Sequence, residues 1–184
     1  MESGHYYLDP NEGHPADAIL AFCNMETKET CVFPSPLETE KKSWYSGKAG
    51  YHWFSELEGG FQFSYKTEPG QMILLQQLSS RAVQNITYHC KNSVAYYDAE
   101  NQHYLSALKL MSANDVELVA GGYPKFTYQS LSDGCRKRSS DWESTVLEYR
   151  TEKADRLPFT DVAIYDLGNS DQQFGLTIGP VCFS

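Results

Sequence analysis

The chain has 184 residues, which suits one domain or at most two small ones. Hydrophobic residues make up 41% and aromatic residues 14%, with 13 Tyr, so a sizeable core is expected. The net charge of -9 argues against a phosphate-binding surface for nucleic acid or an anionic membrane, and no apolar run approaches the roughly 20 residues of a membrane span.

The opening MESGHYY has neither the cationic start nor the apolar centre of a signal peptide. Either a leader has been removed or the sequence is a fragment beginning at Met1. Ala16–Cys23 follows a Pro/Gly turn and carries apolar residues at helical spacing, which predicts a short helix. Pro34–Lys48 is polar and proline-containing, as a loop would be. In FQFSY, Phe61, Phe63 and Tyr65 alternate as in a half-buried strand. Thr67–Gly70 reads as a turn and Met72–Val83 as a helix. Strands are expected at Asn85–Cys90, Ser93–Tyr97, Ala107–Met111, Val116–Val119, Phe126–Tyr128, Ser144–Arg150, Val162–Tyr165 and Gly175–Ile178, separated by Asn, Asp and Gly turns. The pattern is a single α+β domain over residues 1–184, with helices early and a mainly antiparallel sheet later.

LDPNEGHPAD, residues 8–17, is the stretch with the most chemistry. Asp9 and Asn11 lie two apart, Gly13 permits a sharp bend, and Asp17 stands where a helix would begin. The D-x-N-x-G opening matches the first half of an EF-hand loop, but Leu20 stands where the bidentate Glu belongs. The spacing fits either a calcium cage or an Asx-type turn with a helix cap. His14 tempts a zinc reading, yet His5, His52, His89 and His103 stand at no recognised ligand spacing. No nucleophile elbow, phosphate-binding glycine loop or catalytic dyad is present. His89 and Cys90 are neighbours that a strand would point to opposite faces, and Asp115 with Glu117 reads as a solvated pair. Trp44, Tyr45, Trp53 and Phe54 could line a ligand groove, but core packing is the ordinary use of such residues.

The five cysteines, Cys23, Cys31, Cys90, Cys135 and Cys182, form no zinc pattern, so disulfides with one cysteine left over are expected. Asn85-Ile86-Thr87 is the one N-x-[ST] sequon. Together these favour the secretory pathway.

The stretches YLDPNEG, DAILAFCNMETKETC, GFQFSY, LSSRAVQNITYHCKNSVAYYD, KFTYQSLSDGC, TVLEYRTEKADRLPFTDVAIYDLG and QQFGLTIGPVCF run in one order along the chain. In that arrangement the sequence resembles the C-terminal propeptide of fibrillar procollagens, without its N-terminal stalk. The resemblance implies a fibrinogen-like fold and a non-enzymatic function. Such a domain joins with two further procollagen chains, registers them, nucleates the triple helix and keeps procollagen soluble. It passes from the endoplasmic reticulum to the extracellular matrix, where a tolloid-type procollagen C-proteinase removes it. The resemblance also implies a structural Ca²⁺ site with side-chain ligands Asp9, Asn11 and Asp17 and backbone carbonyls of Glu12 and His14. It implies disulfides Cys31–Cys182 and Cys90–Cys135, an unpaired Cys23 whose family partner lies upstream, and a glycan on Asn85. It places chain recognition in the Tyr65–Arg81 region, at Tyr65, Lys66, Glu68, Gln71 and Arg81. Two departures are visible. His14 replaces a cysteine that commonly links chains, which with the absent stalk cysteine points to a trimer without covalent links between chains. Lys66–Gln77 is shorter than usual, which suits a homotrimer that needs less discrimination between partners. A fibrinogen-like, lectin-like recognition module is the alternative.

Overall fold

The computed structural model describes all of residues 1–184. Eleven strands and one α-helix form it. A seven-stranded sheet contains β1 (Gly4–Leu8), β2 (Ile19–Asn24), β3 (Glu29–Val32), β5 (Ala82–Lys91), β8 (Gln129–Asp133), β9 (Glu143–Thr151) and β11 (Gln173–Phe183). Its spatial order is β1-β2-β3-β11-β5-β9-β8, with every neighbouring pair antiparallel. A four-stranded antiparallel sheet runs β4 (His52–Trp53), β10 (Asp161–Ile164), β6 (Lys109–Met111), β7 (Glu117–Leu118). The helix α1 spans Pro69–Leu78. The expected mainly antiparallel, disulfide-bonded α+β architecture is present.

β5 lies between β11 and β9 and shows why the pattern works. Ala82, Gln84, Ile86, Tyr88 and Cys90 are buried, and the residues between them are half-buried. One cluster of 31 buried residues joins both sheets, with Leu110, Leu118 and Val162 of the smaller sheet beside Ile86, Leu147 and Leu176 of the larger. Phe54 packs edge-on against Trp44 at 5.1 Å, and Tyr88 stacks on Phe174 at 5.3 Å. Trp44 and Phe54 are therefore interior residues, while Tyr45 is exposed.

Several expectations are corrected. Ala16–Cys23 is no helix: a 3₁₀ turn at Pro15–Asp17 leads into β2, which pairs from Leu8↔Ile19 to Gly4↔Cys23. An unbroken apolar run satisfies helical and strand periods alike, and the open edges of β1 and β3 decide it. FQFSY alternates in burial but makes only an isolated bridge, Pro34↔Tyr65. The helix begins at Pro69, whose missing N–H costs nothing at a first position, and ends at Leu78. Ala82 and Val83 belong to β5, because Thr151 and Phe183 pair with Ala82. Ser93–Tyr97 is irregular, and Phe126 closes a 3₁₀ turn with the strand starting at Gln129. β11 runs through Gly179-Pro180 by a register shift between Ile178 and Val181. The loop reading of Pro34–Lys48 holds, although Leu37 to Lys42 hydrogen-bonds along the part of β11 that β3 does not cover.

Candidate metal centre

Residues 9–18 join β1 to β2. The loop opens with a turn in which the Glu12 N–H donates to the Asp9 carbonyl at 3.2 Å, with Glu12 at φ +53°. The Asn11 Oδ1 accepts from the Gly13 N–H at 2.9 Å, and its Nδ2 donates to Asp17 Oδ2 at 3.0 Å. The Asp17 N–H donates to the His14 carbonyl at 3.1 Å, and His14 Nδ1 accepts from the Ala16 N–H at 3.1 Å. The ring nitrogen is thus engaged in capping the 3₁₀ turn. The Glu12 and His14 side chains are exposed.

The two aspartates behave differently. Asp9 Oδ1 and Asp17 Oδ1 are shut off from solvent and have no hydrogen-bond partner. A buried carboxylate oxygen without a donor is costly, and a bound cation removes that cost. Two carboxylates, an amide oxygen and loop carbonyls are all hard oxygen donors, the set that Ca²⁺ takes. The residues present therefore fit a calcium ion.

The Tyr65–Arg81 segment reaches this loop through Gln71. Gln71, in the first turn of α1, is only 3% exposed, and its Nε2 donates to the Asp17 carbonyl at 3.3 Å. Lys66, Glu68 and Arg81 are exposed, and Arg81 pairs with Glu152 at 3.3 Å. Tyr65 points inward: its hydroxyl donates to the Phe159 carbonyl at 2.7 Å and accepts from Gln84 Nε2 at 2.7 Å. Burial pushes that hydroxyl's pKa well above its usual value. The Tyr65 hydroxyl and the Gln71 side chain are thus both engaged within the domain.

The structure closes disulfides between Cys31 and Cys182 and between Cys90 and Cys135, and Cys23 on β2 is free. Cys31 and Cys182 face each other across β3 and β11. Asn85 sits in the middle of β5, half-buried, opposite Glu148 of β9. His89 faces away from Cys90 and meets the Thr177 hydroxyl at 2.7 Å, and desolvation with the nearby Lys41 charge lowers its pKa. No helix is long and apolar enough to cross a membrane.

One polar centre escaped the sequence reading. Arg138 donates to Asp98 at 3.1 Å, Glu100 at 3.2 Å and Asp166 at 3.0 Å. Asp98 is fully buried and also accepts from the N–H groups of Glu100 and Asn101 and from Asn101 Nδ2. Burial alone would raise its pKa, but the Asn101 and Arg138 hydrogen bonds outweigh it and hold the carboxyl at about 2. No short-range motif marks it, because Arg138 stands 40 positions from Asp98 and 28 from Asp166.

The profile of the fibrillar collagen C-terminal domain matches residues 1–183. The chain is 51% identical over 193 aligned residues to the collagen alpha-1(II) chain of Xenopus tropicalis, covering 99% of this chain and 13% of that one. It is 48% identical to the collagen alpha-1(II) chain of Gallus gallus, covering 99% of this chain and 22% of that one. Against the collagen alpha-2(I) chain of Oncorhynchus mykiss it is 47% identical, with 98% and 14% covered. The chain therefore spans less than a quarter of the length of these relatives, and it belongs to the fibrillar collagen C-terminal domain family.

Proposed function

We propose that this domain is a non-enzymatic assembly unit that associates three collagen chains, with a structural calcium ion in the Asp9–Asp17 loop. The observation that carries the calcium reading is the pair of buried, partnerless oxygens on Asp9 and Asp17, in a loop whose other oxygens are of the kind a hard cation takes. Asn11 is tied to this pair by its bond to Asp17. In this reading Asp9, Asn11 and Asp17 hold the ion with their side chains, and Glu12 and His14 contribute carbonyls. The ion supplies charge neutralisation and rigidity, not chemistry. Family membership and the exposed Lys66, Glu68 and Arg81 support an association role. The homotrimer, the registration of the triple helix, secretion through the endoplasmic reticulum, glycosylation at Asn85 and removal by a tolloid-type proteinase belong to the same reading. A lectin-like alternative would need an aromatic surface, and burial of Trp44 and Phe54 removes half of the one it would use.

Analytical ultracentrifugation with calcium and with chelator tests this. The trimer should require calcium, and Asp9→Ala and Asp17→Ala should each lose bound calcium and association together. A trimer unchanged in chelator would remove the ion from assembly.

A further inference from the structure

Four buried side-chain oxygens in the protein lack any hydrogen-bond partner: Asp9 Oδ1, Asp17 Oδ1, Gln71 Oε1 and Asn85 Oδ1. The first two belong to the candidate calcium loop. The third belongs to the residue that already touches it, since Gln71 Nε2 donates to the Asp17 carbonyl at 3.3 Å. That bond anchors the amide against the loop and uses its nitrogen, and the oxygen is left without a donor in a side chain 3% exposed.

Three orphaned oxygens at one end of the molecule are unusual, because buried acceptors are ordinarily satisfied. A single cation held between them would satisfy all three at once. Ca²⁺ accepts six to eight oxygens and takes amide carbonyls alongside carboxylates. A neutral amide also adds a ligand oxygen without adding a third negative charge beside Asp9 and Asp17.

We propose that Gln71 supplies a further oxygen to this cation site, so that the ion ties the β1–β2 loop to the first turn of α1. The inference rests on the calcium reading above. It gives that ion a specific reach: binding orders α1, the element that leads into Arg81 and β5. Sequence spacing cannot reveal the link, because Gln71 stands 54 positions from Asp17.

Calcium titration by calorimetry on the intact chain, with Gln71→Leu and Gln71→Glu, tests the inference, together with hydrogen exchange of the α1 amides. Gln71→Leu is expected to weaken calcium about tenfold or more, the usual effect of removing a supporting group at a metal site. Gln71→Glu keeps an oxygen but loses the donor to the Asp17 carbonyl, and should retain the calcium binding that Gln71→Leu loses. Calcium should raise α1 protection in the parent and not in Gln71→Leu. A folded Gln71→Leu with parental affinity overturns the proposal, as does a parent whose α1 protection ignores calcium. If Gln71→Leu does not fold, the Gln71→Glu affinity and the parent's exchange decide it. A parent that takes up no calcium sinks the calcium reading itself, whereas a calcium-binding parent with an indifferent leucine variant sinks only the role of Gln71.

Discussion

Arg138 offers the sharpest stability test. Its guanidinium bonds to three carboxylates, one of them, Asp98, with a side chain only 1% exposed. These contacts tie the irregular segment after β5 to the 3₁₀ turn at Gly134–Arg136 and to the loop after β10. Arg138→Met keeps much of the apolar stem and removes the charge. It leaves Asp98 buried with only amide donors, and leaving one partner of a buried ion pair uncompensated costs about 3–5 kcal/mol. The pH dependence gives the mechanism away. The Asp98 pKa is depressed from 3.8 to about 2 in the folded protein. A depressed carboxyl contributes stability that is complete above its unfolded pKa and disappears as pH falls through the folded one. The contribution is about 2 kcal/mol at neutral pH, roughly half of it gone by about pH 3. The variant lacks much of this contribution, so the gap between the two proteins narrows by about 1 kcal/mol between pH 7 and pH 3. Urea unfolding of both, disulfides intact, measures the gap. A constant gap at all pH values, or a loss under about 0.5 kcal/mol at pH 7, would refute the electrostatic account.

Gln84 is 1% exposed and donates to Tyr65 and the Gly179 carbonyl while accepting from the Phe159 N–H. Gln84→Leu strands the Phe159 N–H and the Gly179 carbonyl, while the Tyr65 hydroxyl keeps its bond to the Phe159 carbonyl, and should cost about 2–3 kcal/mol in urea denaturation; an unchanged or higher stability would show that the stranded groups find other partners. A β-carbon on Gly179 would meet the Asn85 carbonyl oxygen at 2.7 Å, backbone that cannot swing aside. Gly179→Ala should therefore cost about 1–3 kcal/mol and loosen the β5–β11 pairing at the bulge, read by amide exchange in β5.

How far the sequence discloses this fold depends on how each segment is buried. β5 and β9 are legible because one face is core and the other is not, so burial alternates with the strand period over much of each. β11 is legible only in part, since Gly179-Pro180 reads as a terminator while the bulge lets the strand continue. β1 and β3 are short, and their pairing with β2 is what turns an ambiguous apolar run into a strand. The candidate metal loop is legible because its oxygens are local: Asp9, Asn11 and Asp17 fall within one connection. Gln71 and the Asp98–Arg138–Asp166 centre are not, because each depends on contacts the chain makes across long separations.

The placement of the candidate ion separates assembly from folding. Residues 11–16 are exposed and contribute nothing to the 31-residue core, whereas Ile19 at the end of the loop is 4% exposed and belongs to it. Both disulfides lie elsewhere in the chain, at Cys31–Cys182 and Cys90–Cys135. On the chain-entropy account such closures of long loops contribute about 4–5 kcal/mol each, independent of any metal. If the proposed calcium ion is held there, removing it leaves unpaired carboxylate oxygens on a loop that contributes little to the core, and the expected response is local opening rather than global unfolding. On the proposed reading that is a sensible division. In that proposal a chain of net charge -9 associates with copies of itself, and neutralising the Asp9 and Asp17 carboxylates lowers the repulsion between them without altering what holds each domain together. Chelation should then separate the chains while each remains folded, an outcome in which sedimentation changes and the aromatic circular dichroism of the buried Trp44–Phe54–Phe174 cluster does not.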